Sequence, residues 1–264
     1  EEVSTNGGMY VKGSKLYTAG GQEVVMRGVN LAHVFYRDRS AADLQKISDL
    51  GANAVRLVLS SGQTAPAGWS STKNTQSDIE PLVQFCKANG MVAVLDDQST
   101  TGGDDIGYLN NAVNYWIEMK DFMNQYKDCV ILNIANEWSG KWVGDNPNYT
   151  SAYVDAVKKI RNAGIENVIM VDAAGWGQDI LGLAGVAQTI LDADTTGNTM
   201  FSGHMYCYGA PDEAGVKERI DAFTNKNLCF CVGEFGWKHN PGTIPYQYIM
   251  SYAQENCAGW LAWS

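Results

Sequence analysis

Two glutamates carry the chemistry legible in this chain. Glu137 ends the run Ile131-Leu132-Asn133-Ile134-Ala135-Asn136, and Glu234 sits in Cys231-Val232-Gly233-Glu234-Phe235-Gly236. Two carboxyl groups brought to one acetal can cleave it. One protonates the leaving oxygen while the other attacks the anomeric carbon. A lone Glu of this kind is as well explained as a solvated loop charge, but two in such apolar, glycine-tight contexts are not.

The elements that must position them follow from hydrophobic patterning. Eight short, β-rich apolar runs recur at residues 24–29, 54–59, 91–95, 130–134, 168–171, 200–205, 228–232 and 259–263. Most are almost continuously apolar, as expected of parallel strands buried on both faces. The segments between them have helical periodicity. In 40–50, Leu44 and Ile47 share a face and Ser40-x-x-Asp43 predicts a capping box. In 150–163, Tyr153, Val157 and Ile160 follow i, i+4, i+7, and Gly164 supplies the stop. Residues 108–126 and 246–256 read as further helices. Eight strands alternating with helices imply a (β/α)8 barrel or an open doubly wound sheet.

Two features favour the barrel. Gly28 is followed by Val29-Asn30-Leu31, so no dinucleotide-binding glycine fingerprint follows the first strand. Polar and aromatic residues also gather where strands end: Asn30, Arg56, Asp96, Asn136, Glu137, Asp172, His204, Glu234 and Trp263. Barrel enzymes assemble their sites on that carboxyl-end face, where the fourth and seventh strands face each other across the mouth. Residues 9–18, with Gly13-Ser14 at the centre, predict a small β-hairpin ahead of the barrel. The reading is a single α/β domain over residues 1–264, a (β/α)8 TIM barrel whose last helix is missing because Ser264 ends the eighth strand.

Composition narrows the partners. The 264 residues carry 29 acidic and 19 basic side chains, a formal charge of −10, which argues against a nucleic-acid partner. No apolar run approaches the ~20 residues of a membrane-spanning helix. The amino end, Glu1-Glu2-Val3-Ser4-Thr5, has no basic start followed by an apolar stretch; any signal peptide is expected to have been removed, as in a secreted, extracellular protein. Six cysteines without a C-x-x-C pair fit disulfides in an exported protein and fit buried thiols equally well. No cofactor or metal is expected. P-loop, G-x-S-x-G and H-E-x-x-H motifs are absent, Cys229 and Cys231 lack further zinc ligands, and Asp96, Asp97, Asp104 and Asp105 lack calcium-loop spacing and read as a solvated acidic loop.

The strand-end motifs together resemble a known family. Asn136-Glu137 and Gly233-Glu234-Phe235-Gly236 are similar to glycoside hydrolase family 5, of clan A. The resemblance narrows with Arg27-Gly28-Val29-Asn30, Val55-Arg56-Leu57-Val58-Leu59-Ser60, Met170-Val171-Asp172-Ala173, Gly175-Trp176-Gly177-Gln178, His204-Met205-Tyr206 and Gly259-Trp260-Leu261-Ala262-Trp263-Ser264. These look like the endo-β-1,4-mannanases of subfamily 8, and the likeness runs from about Met26 to Ser264. It implies a monomeric hydrolase of β-mannan and mannooligosaccharides.

Carried over by position, the resemblance makes Glu137 the acid/base and Glu234 the nucleophile of a retaining double displacement. Arg56 would hold Glu234 ionised, and Glu137 would start protonated, with a raised pKa. Asn136 would bind the sugar 2-OH, Tyr206 would orient the nucleophile, and His204 would line the same subsite. Trp263 would stack under a sugar ring while Trp260 belongs to the core. Trp176, Trp142 and Trp237, each just past a strand end, would extend an aromatic cleft, and Trp69 would reach its rim. The pattern breaks on the third strand: where the family has Glu-Val-His-Asp before Thr-Thr-Gly, this chain has Asp96-Asp97-Gln98-Ser99. Gln98 can bind a hydroxyl but carries no proton charge. A β-1,4-glucanase and a non-catalytic glycan-binding barrel are the two rival readings.

Overall fold

The computed structural model describes residues 4–240 and 242–263. Residues 1–3, Pro241 and Ser264 lie outside the described part, and with them the start of the amino-terminal segment and the last residue of the final strand motif. Strands β1 (Tyr10–Lys12), β2 (Lys15–Tyr17) and β3 (Glu23–Val24) form a small antiparallel sheet. The expected hairpin is therefore present, with a third strand added. Seven barrel strands follow: β4 (Arg27–Leu31), β5 (Ala54–Leu59), β6 (Val92–Asp97), β7 (Val130–Asn133), β8 (Val168–Asp172), β9 (Thr199–Met205) and β10 (Phe230–Phe235). A two-stranded ribbon, β11 (Lys238–His239) with β12 (Gly242–Thr243), precedes β13 (Gly259–Ala262). Strand β13 pairs in parallel with both β10 and β4 and so closes the barrel.

Helices α1 (Ser40–Asp49), α2 (Gln76–Ala88), α3 (Ile106–Glu118), α4 (Lys120–Gln125), α5 (Tyr149–Asn162), α6 (Ile180–Leu191), α7 (Glu213–Thr224) and α8 (Tyr246–Glu255) fill the seven crossovers, with α3 and α4 sharing one. Three expectations are corrected here. The 108–126 segment is two helices, broken at Met119, where the backbone leaves helical geometry (φ −107°, ψ 20°). Ser40 does not cap α1; Arg39 holds the cap position, and the Ser40 hydroxyl donates to Tyr36 O and bonds His33 Nδ1. The capping box lies instead at Thr75 and Asp78 of α2. The first run, read as one strand over 24–29, is split between β3 and β4.

Alternation along each strand makes two cores. Val55, Leu57 and Leu59 of β5, with their counterparts on the other strands, face the helices. Ala54, Val92, Val94, Ile131, Val168, Met170, Met200, Cys229, Cys231 and Leu261 fill the lower barrel, plugged by Met9, Leu16 and Met26. This is the period-2 consequence of parallel strands buried on both sides. On β13 the outward Trp260 and Ala262 are only half-buried, whereas β5 to β10 are buried throughout. Trp260 still packs against the outer core, edge-on to Phe235.

All six cysteines are free thiols. The disulfides that an exported protein would allow are not formed. Burial instead pushes the thiols of Cys86, Cys129 and Cys229 up to about 12, so they behave as small apolar side chains. The solvated acidic loop is also half wrong. Asp104 and Asp105 cap loop and helix amides, but Asp96 and Asp97 are fully buried at the end of β6.

Candidate active site

The residue after Asn136 is bent out of β7 into a conformation that L-residues seldom adopt. Glu137 has φ +47°, and Ser139 and Trp176 on the same face have φ +80° and +58°. Such strain persists only where surrounding bonds over-determine it. Here the Glu137 amide donates to Asp172 Oδ2 at 3.3 Å and its carbonyl accepts from Gly102 N at 3.0 Å. Trp138 then anchors the loop, fully buried against Tyr149 and Tyr153 of α5, with its indole N–H on Asp105 O. The Glu137 carboxyl is thereby turned inward, 2.7 Å from His204 Nδ1.

Glu234 reaches the same point by a different device. Val232 pairs with Gly203 and Glu234 with His204, so Gly233 is an extra residue on β10. This bulge re-aims the next side chain into the barrel. Only glycine fits there: a Cβ on Gly233 would lie 2.2 Å from Ser202 Oγ. Arg56 Nη1 donates to Glu234 Oε1 at 2.8 Å, and the Tyr206 hydroxyl donates to Oε2 at 3.0 Å.

Arg56 is completely buried and anchors the whole layer. Besides Glu234 it bonds Asn30, Asn133, Asn136 and Asp172, and lies 3.1 Å from Asp96 Oδ2. A buried guanidinium is tolerated when its donors are satisfied and its charge is matched. Asn136 is committed to this layer: its Oδ1 accepts from Arg56 and its Nδ2 donates to Thr101 Oγ1, leaving one amide hydrogen for a ligand.

The two carboxyl groups sit in different fields. Burial, helped by the charge on Asp172 and opposed by Arg56, raises Glu137 to about 8. Burial also raises Glu234, but His204 and Arg56 both oppose that shift. Arg56 therefore limits the rise without bringing Glu234 below the ordinary range, which is less than the sequence reading expects. Burial lowers the pKa of His204, and the charges of Glu234 and Asp172 oppose that shift. One oxygen of each glutamate and a ring nitrogen of His204 all lie within 4.8 Å of one another. The arrangement can hold one proton donor and one nucleophile on a single small ligand, at a spacing nearer that of retaining than of inverting carboxyl pairs.

Above this layer a cleft of about 780 Å³ is lined by Glu137, Trp176, Gln178, Tyr206, Glu234, Trp237 and Trp263, with His239 and Lys238 from the ribbon. Trp176, Trp237 and Trp263 are thus brought to the cleft as expected. Trp142 is not; its ring lies beside Gly175 on the neighbouring loop, away from the cleft lining. Gln98 is also outside the lining, buried in a single turn after β6, with no hydrogen-bond partner for its Oε1 among the described residues. Trp69 packs edge-on to Phe35 on the loops after β4 and β5. Gly177 (φ +74°) lets the loop carrying Trp176 lie on the His204 ring, where a Cβ would come within 2.4 Å of Nδ1.

Several members of the site had no role assigned from sequence. Asp172 and Asn30 stood among the polar strand ends and were given no role, although Asp172 touches Arg56, His204 and the Glu137 amide. Asn133 was hidden inside an apolar run. His239, on the ribbon, has its ring 4.8 Å from that of Tyr206.

The same barrel recurs in known proteins. Residues 17–264 match the model of the cellulase family, glycosyl hydrolase family 5. A mannan endo-1,4-beta-mannosidase of Salipaludibacillus agaradhaerens is 42% identical over 257 residues, covering 97% of this chain and 81% of that protein. A beta-mannanase/endoglucanase A of Caldicellulosiruptor saccharolyticus is 38% identical over 248 residues, 90% of this chain but only 18% of that protein. The crystal structure of a beta-mannanase from Streptomyces thermolilacinus with mannohexaose superposes with a TM-score of 0.88 at 36% identity, covering 97% of this chain and 83% of that one. A closed barrel, two buried glutamates on its fourth and seventh strands, and a match over nearly its whole length place this chain in glycoside hydrolase family 5.

Proposed function

We propose that this chain is a retaining endo-β-1,4-mannanase that cleaves internal bonds of mannan, glucomannan and galactomannan. The observation that carries the reading is the buried pair: Glu137 raised to about 8 beside His204, and Glu234 held by Arg56 and Tyr206. In this mechanism Glu137 protonates the leaving oxygen and Glu234 attacks the anomeric carbon. Glu137, now ionised, then takes a proton from the water that releases the glycosyl group. Arg56 and Tyr206 aim Glu234 and lower its proton affinity, while His204 fixes the Glu137 carboxyl. The remaining Asn136 amide hydrogen meets the 2-hydroxyl, and Trp176, Trp237 and Trp263 offer ring faces to the polymer on either side.

Mannan rather than glucan is favoured by the relatives at 36–42% identity, whose names are mannan endo-1,4-beta-mannosidases. We further propose that the enzyme works outside the cell, since a mannan polymer cannot cross a membrane to reach it, and that it works there as a monomer, as the family resemblance implies. Fractionation of a producing culture and size-exclusion chromatography test those two points.

Reducing-sugar release from galactomannan, carboxymethylcellulose and xylan, with Glu137→Ala as the blank, tests the activity. Release from galactomannan and not the others is expected. Release from carboxymethylcellulose alone would make the chain a glucanase. No release from any, with mannan still bound, would make it a glycan-binding barrel.

A further inference from the structure

The buried layer beneath the cleft holds more carboxyl groups than one guanidinium can match. Asp96, Asp172 and Glu234 all lie within 3.3 Å of Arg56, and Glu137 joins them through His204. Among the described residues, Glu137, His204 and Glu234 are the group whose ligand-capable atoms converge, all within 4.8 Å and all buried. We propose that these three side chains form a binding site for a divalent transition-metal ion, and that zinc(II) seated there reversibly inhibits the enzyme.

The geometry suits the ion. Zinc binds imidazole nitrogen and carboxylate oxygen at about 2.0–2.2 Å, which sets donor–donor edges near 3.4 Å in a tetrahedron. His204 Nδ1 stands 2.7 Å from Glu137 Oε1 and 3.7 Å from Glu234 Oε2, on either side of that edge. Seating the ion would lengthen the first distance and shorten the second, each by less than about an ångström, and would draw together the two glutamate oxygens, now within 4.8 Å of each other. Glu137 and Glu234 also line the open cleft, from which a water would supply the fourth donor.

The support behind the donors fits as well. Binding through Nδ1 requires the proton on Nε2, which lies 3.5 Å from Asp172 Oδ2 and has no hydrogen-bond partner among the described residues. A carboxylate behind a metal-bound histidine is the common way to fix the ring and raise its basicity. Arg56 repels a cation, but Asp96 and Asp172 lie against it. Calcium and magnesium are poor candidates, because they call for six or more oxygen donors and avoid imidazole. The ion takes no part in the reaction. It would sit where the leaving oxygen and the anomeric carbon must come, so its inhibitory effect rests on the mannanase reading, whereas its binding does not.

Isothermal titration of the full chain with zinc chloride, read separately from activity, tests the site. One zinc per chain is expected at these residues, displaced by mannohexaose. Asp172→Asn should weaken binding by roughly 10–100-fold, and Glu137→Gln or His204→Asn by more, each variant first shown folded by circular dichroism. Cys207→Ser, which removes a partly exposed thiol from the cleft rim, should leave the affinity unchanged. In assays on galactomannan, zinc should inhibit competitively and chelation by EDTA should restore the rate, while magnesium and calcium have no effect. Undiminished zinc binding in folded Glu137→Gln, loss of binding in Cys207→Ser, or zinc and mannohexaose bound together would overturn the proposal. A chain that binds zinc at these residues but hydrolyses no mannan would refute the mannanase reading alone.

Discussion

The lower and upper halves of the barrel interior are built by the same strands and obey opposite rules. Two residues along each strand separate them: Ala54 from Arg56, Val94 from Asp96, Ile131 from Asn133, Met170 from Asp172, Met200 from Ser202. The lower half is apolar and tolerant, and its stability comes from area removed from water. The upper half is a charged network around one buried arginine, with polar atoms such as Asp96 Oδ1 and Ser202 Oγ lacking a hydrogen-bond partner among the described residues. Bonds so costly to leave unmade are poor stabilisers and good positioners. The comparison teaches that the lower half keeps the barrel closed so that the upper half can hold groups that would otherwise not share a site.

The largest effect expected from breaking the upper half is on turnover. Glu234→Ala should lower kcat by several orders of magnitude while mannohexaose binding, read by calorimetry, persists; near-full activity would remove Glu234 from the nucleophile role. Arg56→Met leaves Asp96, Asp172 and Glu234 buried without their cation, and should cost about 3–5 kcal/mol of stability. Urea denaturation measures it, and a cost below 1 kcal/mol would show that the network is not held by this charge.

The matching test of the lower half is Met170→Ala. It should cost about 2–5 kcal/mol by cavity formation while kcat of the folded protein stays within a factor of two or so. A large fall in kcat would mean that the two halves are mechanically coupled.

pH separates them further. The proposed mechanism needs Glu137 protonated and Glu234 ionised, so kcat/KM should fall as pH rises through about 8 and again as pH drops below the raised value of Glu234. Because Glu137 binds its proton more tightly folded than unfolded, its contribution to stability is full below about 4.5 and is lost as pH rises to about 8. Glu137→Gln should therefore raise the melting temperature more at pH 9 than at pH 5, and equal gains at both would contradict the shift. The smallest effect belongs to the rim. Trp237, 67% exposed, should on replacement by Ala change stability by less than about 0.5 kcal/mol and raise KM for long substrates with kcat little changed.

The eight apolar runs, the turn at Gly13-Ser14 and the barrel they imply were legible because parallel strands and amphipathic helices have local periods that any order of contacts must respect. Helix ends were less legible. Ser40 has the right type for a cap but bonds His33 instead, a partner that only the fold of the first loop brings near. Glu137, Arg56, His204, Tyr206 and Glu234 were legible as strand-end polar residues and by family resemblance. Trp142 and Gln98 show the limit of such placement: both follow a strand end, yet neither lines the cleft.

By itself, then, the sequence determined which residues could be strands and where polar groups would interrupt them. The tertiary structure alone decided what those polar groups do. The bulge at Gly233 turns Glu234 inward, the left-handed bend at Glu137 turns it toward His204, and Arg56 finds Asp96, Asp172 and Glu234 on three other strands. Each of these depends on contacts between residues far apart in the chain, and no local pattern encodes a distance across a closed barrel.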